Sequence, residues 1–391
     1  MHRQVLLLAT AQALFQTASV MVMAVGGLAG ALVTGDPRLA TAPIAAVFLG
    51  TAVSTVPASM WMARVGRRPG FVFGATLGVL AGVVAAIGLW LGSLVVLSIG
   101  TFLVGAYQAF AQIYRFAAGE VADDAFRPRS ISLVLAGGIV AALLGPALGR
   151  LGGPLLSPTY VGSFLLLALV SLVAALLLTR LQMPAPPPTQ AGLVARPLAQ
   201  IVRQPTYLVA VFGAATGYGV MILAMTATPI AMVHHHHVLA DAPTVIQLHV
   251  LGMFLPSFFT GSLIARFGVL RVMLTGVALL TGHVLTTLTG TGFESFAAAL
   301  ILLGVGWNFL YVGGTTLLTT TYTAAERGRA QATNDLSIFV FGLLSSLSAG
   351  ALLDAAGWQM TNLLLLPWLA TAALALLALA WTRRQSATAA A

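Results

Sequence analysis

The chain has 391 residues, of which 59% are hydrophobic and 7% charged, and its mean hydropathy is +0.98. So few charges cannot cover a water-facing surface, which excludes a soluble globular protein and places nearly the whole chain in lipid. There is no cysteine, which excludes disulfides and thiolate ligands, and the net charge of +9 reads as a topology signal with no nucleic-acid partner.

The first apolar run covers residues 5–33 after Arg3 and is long enough to be a retained transmembrane helix instead of a cleaved signal. The second, 41–63, ends in Ala63-Arg64-Val65-Gly66-Arg67-Arg68. Runs at 70–92, 94–117, 131–153 and 158–180 complete six. Residues 182–204 carry Pro184-Ala185-Pro186-Pro187-Pro188 and two arginines, a composition that reads as a cytoplasmic linker. Six further runs follow at 205–232, 244–265, 271–291, 293–317, 330–353 and 358–382. The expectation is an all-α membrane protein of twelve helices, with domains at 1–181 and 205–391 joined by that linker.

The two halves repeat at an offset near 200 residues. Ala265-Arg266-Phe267-Gly268 with Arg271 matches the loop after the second run, Arg327-Gly328-Arg329 matches Arg127-Pro128-Arg129, and Gly304 to Asn308 aligns loosely with Gly105 to Gln108. If both termini are cytoplasmic, only Arg38 and Arg150 fall in external loops. Arg3, Arg64, Arg67, Arg68, Arg127, Arg129, Arg196, Arg203, Arg266, Arg271, Arg327, Arg329, Arg383 and Arg384 then all fall inside. A duplicated six-helix unit in parallel orientation suits a rocking transporter with no reaction to catalyse.

The seventh run carries Met221-x-x-x-Met225 and the eighth His249-x-x-x-Met253. An i, i+4 spacing stacks both side chains on one helix face. An antiparallel pairing about the intervening loop would put Met221 level with Met253 and Met225 level with His249. Three neutral thioethers and an imidazole favour monovalent copper over hard cations and would release it readily. The loop adds Met232 and His234, His235, His236 and His237, which could collect metal at an external mouth or form a solvated loop. Taken alone, the methionines could equally be core packing. A histidine within a membrane helix is the stronger signal.

Asp335, in the eleventh run, suits proton coupling or an interfacial pairing with Arg327 or Arg329. Gln12, Gln16, Gln108, Gln112, Trp307, Asn308 and Tyr311 suit interhelical hydrogen bonds or a cavity lining. His283, Met21, Met23, Met60 and Met62 read as packing. Gly145-Pro146-Ala147-Leu148-Gly149 faintly resembles the glycine-proline motif of drug antiporters.

The loop Ser59 to Arg68, with its repeat from Gly261 to Arg271, resembles the signature of the major facilitator superfamily. Ser59 replaces the usual glycine, and Ala63 and Ala265 replace the usual aspartate. The resemblance implies two pseudo-symmetric six-helix bundles and gating or coupling roles for Arg64, Gly66, Arg67, Arg68, Arg266 and Gly268, with an altered latch. The paired motifs on the seventh and eighth helices resemble the CcoA-type copper importers that supply haem-copper oxidase assembly. That resemblance implies copper uptake through Met221, Met225, His249 and Met253 across a bacterial inner membrane. Copper would be the transported substrate and there would be no prosthetic group. The partners would be the copper ion and the bilayer, the protein would be a monomer, and the cytoplasmic acceptor is unspecified. The alternatives are a proton-coupled antiporter of drugs or small organic solutes and a non-transporting membrane copper sensor or chaperone.

Overall fold

The computed structural model describes residues 2–34, 39, 42–183, 196–237 and 241–389, and among them the regular structure is all helical. The first half holds α1 (His2–Thr34), α2 (Ala42–Val65), α3 (Arg67–Trp90), α4 (Leu94–Ala111), α5 (Tyr114–Val121), α6 (Arg127–Gly152) and α7 (Val161–Leu178). The second holds α8 (Leu198–Val202), α9 (Pro205–His234), α10 (Asp241–Phe254), α11 (Ser257–Phe267), α12 (Val269–Thr287), α13 (Phe293–Leu318), α14 (Arg327–Leu363) and α15 (Leu366–Ala389). Among the described residues, eleven stretches are long and apolar enough to cross a membrane. Of the expected linker, residues 184–195 lie outside the described residues, and α8 occupies part of its end.

Three departures from twelve simple spans have local causes. The fourth run divides into α4 and α5 around Gln112 and Ile113. The eighth divides into α10 and α11 at Pro256, which has no N–H to continue the ladder and whose ring crowds the preceding turn. The eleventh continues past an interruption at Gly357, where φ is 73°, into the first residues of the twelfth as α14, and the rest of the twelfth is α15. That backbone conformation is open to glycine and strained for other residues.

The internal repeat is visible in backbone geometry. Gly66 (φ 97°) and Gly268 (φ 88°) start α3 and α12 in matching left-handed conformations. A Cβ at Gly268 would meet nothing within 4 Å, so substitution there costs conformational energy alone. Gly268→Ala is expected to destabilise by about 1–2 kcal/mol, measured as a lower thermal midpoint in detergent.

The close helix packings repeat as well. α2 packs along α4 at Gly105, whose missing side chain lets the Val47 carbonyl approach. α10 packs along α13 at Gly304 in the same way, against the backbone of His249 and Met253. His249 thus stands where the first half has Val47, and Met253 where it has Thr51.

The chain forms two compact units that exchange short segments. Ala324–Thr333, from the second half, belongs to the first unit, and Asp124–Ser132, from the first half, belongs to the second.

Candidate functional site

In the second unit, α9 and α10 both pack along α13 and meet each other much less. The common neighbour α13, more than a direct antiparallel pairing, therefore holds the two motif helices. Met221 and Met253 are buried, Met225 is half-buried and His249 is fully buried at 0% exposure. Among the described residues no three His, Asp or Glu side chains gather as a metal site, so any metal here would rest on thioether sulfur and one imidazole.

The His249 ring is oriented by one hydrogen bond. Its Nδ1 lies 2.9 Å from the Leu300 carbonyl oxygen. A carbonyl can only accept, so Nδ1 carries the hydrogen and the neutral ring keeps its lone pair on Nε2. That Nε2 is buried and has no hydrogen-bond partner. His283 differs: its two ring nitrogens lie 2.9 Å from Ala299 O and 3.0 Å from Asn362 Oδ1, so it is tied on both sides and structural.

An aromatic cluster lies further along α13. Trp307 stacks on Tyr311 with centroids 4.9 Å apart and planes 15° apart, Phe254 meets Trp307 edge-on at 5.7 Å, and Tyr218 lies 6.4 Å from Tyr311. Trp307 Nε1 is a second buried polar atom without a partner. Seven residues separate Leu300 from Trp307, about 10 Å along the helix. Asn308, a cavity candidate in the sequence, is instead saturated at the Pro256 break. It donates to Met253 O at 2.7 Å and Ser257 Oγ at 2.6 Å, and its oxygen accepts from Thr260 at 2.7 Å.

The histidine run divides in two. His234, His235 and His236 are exposed, whereas His237 donates from Nε2 to Thr291 O at 2.7 Å and packs edge-on against Phe296 at 5.5 Å. Its Nδ1 lies 3.5 Å from Asp241. Met232 is fully buried and unavailable at an external mouth. Met21 and Met62 are likewise core residues, Met62 filling the space left by Gly70.

The first unit contains a charge cluster whose centre the sequence reading missed. Arg67, only 2% exposed, donates to Glu120 through Nη2 at 2.6 Å and through Nε, and also to Gln331 Oε1 at 2.7 Å. Arg327 donates to the other Glu120 oxygen at 2.9 Å. Arg327 thus engages Glu120 as well as any neighbour on its own helix. The buried Asp335 accepts from the Asn334 side chain at 2.8 Å. Arg64 and Arg68 are exposed, and exposed Arg266 lies over the Phe267 ring at 5.2 Å. Arg115, also overlooked in the sequence, is 2% exposed, donates to Gln112 at 2.8 Å and lies over Phe116.

The sequence profile of the Major Facilitator Superfamily matches residues 6–248 and 216–390. The chain belongs to the Major Facilitator Superfamily. It is 39% identical over 369 residues to the riboflavin transporter RfnT of Brucella anthropi, covering 94% of this chain and 93% of that protein. It is 28% identical to the uncharacterized MFS-type transporter YddS of Bacillus subtilis, covering 84% and 78%. Among solved structures, the superfamily transporter FucP in the outward conformation aligns with a TM-score of 0.78 at 16% identity, over 95% of this chain and 97% of that one. The human organic anion transporter MFSD10 aligns at 0.77 and 13% identity, over 96% and 99%. The protein is therefore a multi-pass membrane transporter and not an enzyme. The finer expectation of a copper importer rests on the motifs alone, since the 39% identical relative is named for riboflavin.

For this superfamily member, the departures at Ser59 and Ala63 have structural counterparts. Ser59 Oγ donates to Gly328 O at 2.9 Å, and a Cβ at Gly328 would sit 2.7 Å from that of Ala63. At the matching place in the second unit, Gly261 meets Pro128 O and Arg129 Cα, each 2.5 Å from its hypothetical Cβ. The glycine that allows close approach has changed sides: it is on α11 in one crossing and on α14 in the other. With alanine at 63, the carboxylate facing Arg67 comes from Glu120 on α5.

Proposed function

We propose that this chain transports riboflavin or a closely similar flavin across a bacterial cytoplasmic membrane by alternating access, with both termini inside. The 39% identity to a riboflavin transporter over almost the full length of both chains supports the substrate class. Within this chain, the observation that carries the reading is the partnerless lone pair of His249 Nε2, together with the partnerless Trp307 N–H in an aromatic cluster about 10 Å along α13 from the Leu300 carbonyl that holds the ring. A buried polar atom without a partner is costly, and a bound solute can supply the partner.

The flavin ring is neutral, flat and aromatic, and one edge presents an N–H donor between two carbonyl acceptors. His249 Nε2 can accept from that N–H, and Trp307 Nε1, about 10 Å further along α13, can donate to a hydroxyl oxygen of the ribityl chain. Trp307, Tyr311, Tyr218 and Phe254 offer aromatic faces to the ring system. None of these groups needs a net charge, which suits a neutral solute.

The second reading is copper, favoured by one feature: metal-bound imidazoles are oriented in this way, by a carbonyl on the nitrogen away from the metal. Met221 and Met253 would be its soft partners. The exposed His234, His235 and His236 could concentrate the ion, and Asp335 could carry a coupled proton. A sensor or chaperone that binds copper without moving it makes no use of the duplicated scaffold.

One assay separates the two. Labelled riboflavin and labelled copper are offered in parallel to cells lacking their own carriers, at matched membrane expression. The flavin reading expects His249→Ala and Trp307→Leu each to lower riboflavin uptake about tenfold or more, while Met221→Leu leaves it within about twofold. Riboflavin uptake no higher than in empty cells, with copper accumulation lost in both His249→Ala and Met221→Leu, would replace it with the copper reading.

A further inference from the structure

A cavity that His249 does not line lies at the arginine-rich end of the second unit. About 670 Å³ in volume, it opens between the start of α12 and the end of α15. It is lined by Arg271, Arg383 and Arg384 together with Phe267, Leu274 and Leu377. No acidic residue lines it. Arg383 is steadied by a hydrogen bond from Nη2 to Thr206 Oγ1 at 3.2 Å. Trp381 stands at the rim, 64% exposed, and Leu377 is 51% exposed.

The vertical order of these groups matters. Leu377 precedes Arg383 by six residues on one continuous helix and Leu274 follows Arg271 by three on another, so on each helix an apolar residue lies deeper than the arginine, by about 9 Å on α15 and about 5 Å on α12. Tryptophan favours the boundary between headgroups and acyl chains, and exposed leucines below it face hydrocarbon. Guanidinium groups bind phosphate through paired N–H donors, and basic pockets between membrane helices at the cytoplasmic face suit anionic headgroups.

The geometry points to a binding site for one anionic glycerophospholipid of the cytoplasmic leaflet. Its phosphate engages Arg271, Arg383 and Arg384, and an acyl chain runs over Leu274 and Leu377. The bound lipid ties the start of α12 to the end of α15, across the helix pair that closes the second unit. The cavity is distinct from the solute site and does not depend on which solute is carried.

The test is native mass spectrometry of the full chain, released from nanodiscs of phosphatidylglycerol mixed with phosphatidylcholine. One retained phosphatidylglycerol is expected on the wild type. Its occupancy should fall about fivefold or more in Arg271→Gln/Arg383→Gln/Arg384→Gln and stay unchanged in the equally charged control Arg3→Gln/Arg129→Gln/Arg180→Gln. Inorganic phosphate at millimolar concentration should not displace it, because phosphate alone lacks the acyl contact. Equal retention of phosphatidylcholine, equal loss in both triple variants, displacement by phosphate or absence of any retained lipid would each overturn the assignment. Size-exclusion profiles of the variants confirm that they are folded before the lipid is scored.

Discussion

Replacing Glu120 by glutamine should lower stability on the order of 3 kcal/mol, because it strips a buried arginine of its counter-charge. The Arg67 side chain is 1% exposed and its Glu120 partner 20% exposed, so water cannot take over from the carboxylate. Arg327 loses this ion pair at the same time. The attraction within such a pair barely offsets desolvation, yet a charge left alone pays the desolvation in full. Thermal unfolding of purified protein in detergent should show a midpoint several degrees lower for Glu120→Gln. The double variant Arg67→Met/Glu120→Leu should recover much of the difference, since it removes both charges. A Glu120→Gln midpoint within a degree of the wild type would mean that the pair is effectively solvated.

Gly304→Ala should be comparably damaging, although it adds a single carbon. The new Cβ would lie 2.6 Å from His249 O, 2.7 Å from Met253 N and 2.8 Å from Gly252 C. All three are backbone atoms of α10, so no side chain can move aside and the helices must separate. Separation would also disturb the hydrogen bond from His249 to Leu300 O. A cost of about 2–3 kcal/mol follows from overpacking a tight contact, together with reduced uptake of the transported solute. Gly350→Ala is the matching control, because a Cβ there meets nothing within 4 Å and alanine suits a helix better. It should be neutral or stabilise by about 0.5–1 kcal/mol. Recovery of monodisperse protein and its melting point check both.

The pairing of these two sites shows what could be read from the chain alone. Gly304 was visible as a repeat of Gly105, and Gly66 as a repeat of Gly268, because duplicated packing needs small residues at duplicated positions. His249 stood out because an ionisable ring in an apolar run is costly unless it has a task. Glu120 did not stand out: it follows the fourth span by three residues and resembles any loop acid. Its importance comes from Arg67 and Arg327, which are distant in sequence. Trp307 was legible only as one polar-edged residue among several, and nothing local distinguishes it from Asn308. The structure separates them, since Asn308 is saturated by the α10 break while the Trp307 N–H is left without a partner.

The expectation of copper illustrates the boundary. Spacing of i, i+4 reports that two side chains share a helix face, but not which helix lies opposite. α13 accompanies both motif helices, and the His249 ring turns toward it. By itself the sequence determined membrane residence, the helical class, the two-fold repeat and the superfamily, because hydropathy and periodic glycines are local properties. Only the tertiary structure decided which arginines meet Glu120, which nitrogen of His249 is left open and where the α12–α15 cleft forms. Those outcomes depend on contacts between residues tens to hundreds of positions apart, which no local pattern encodes.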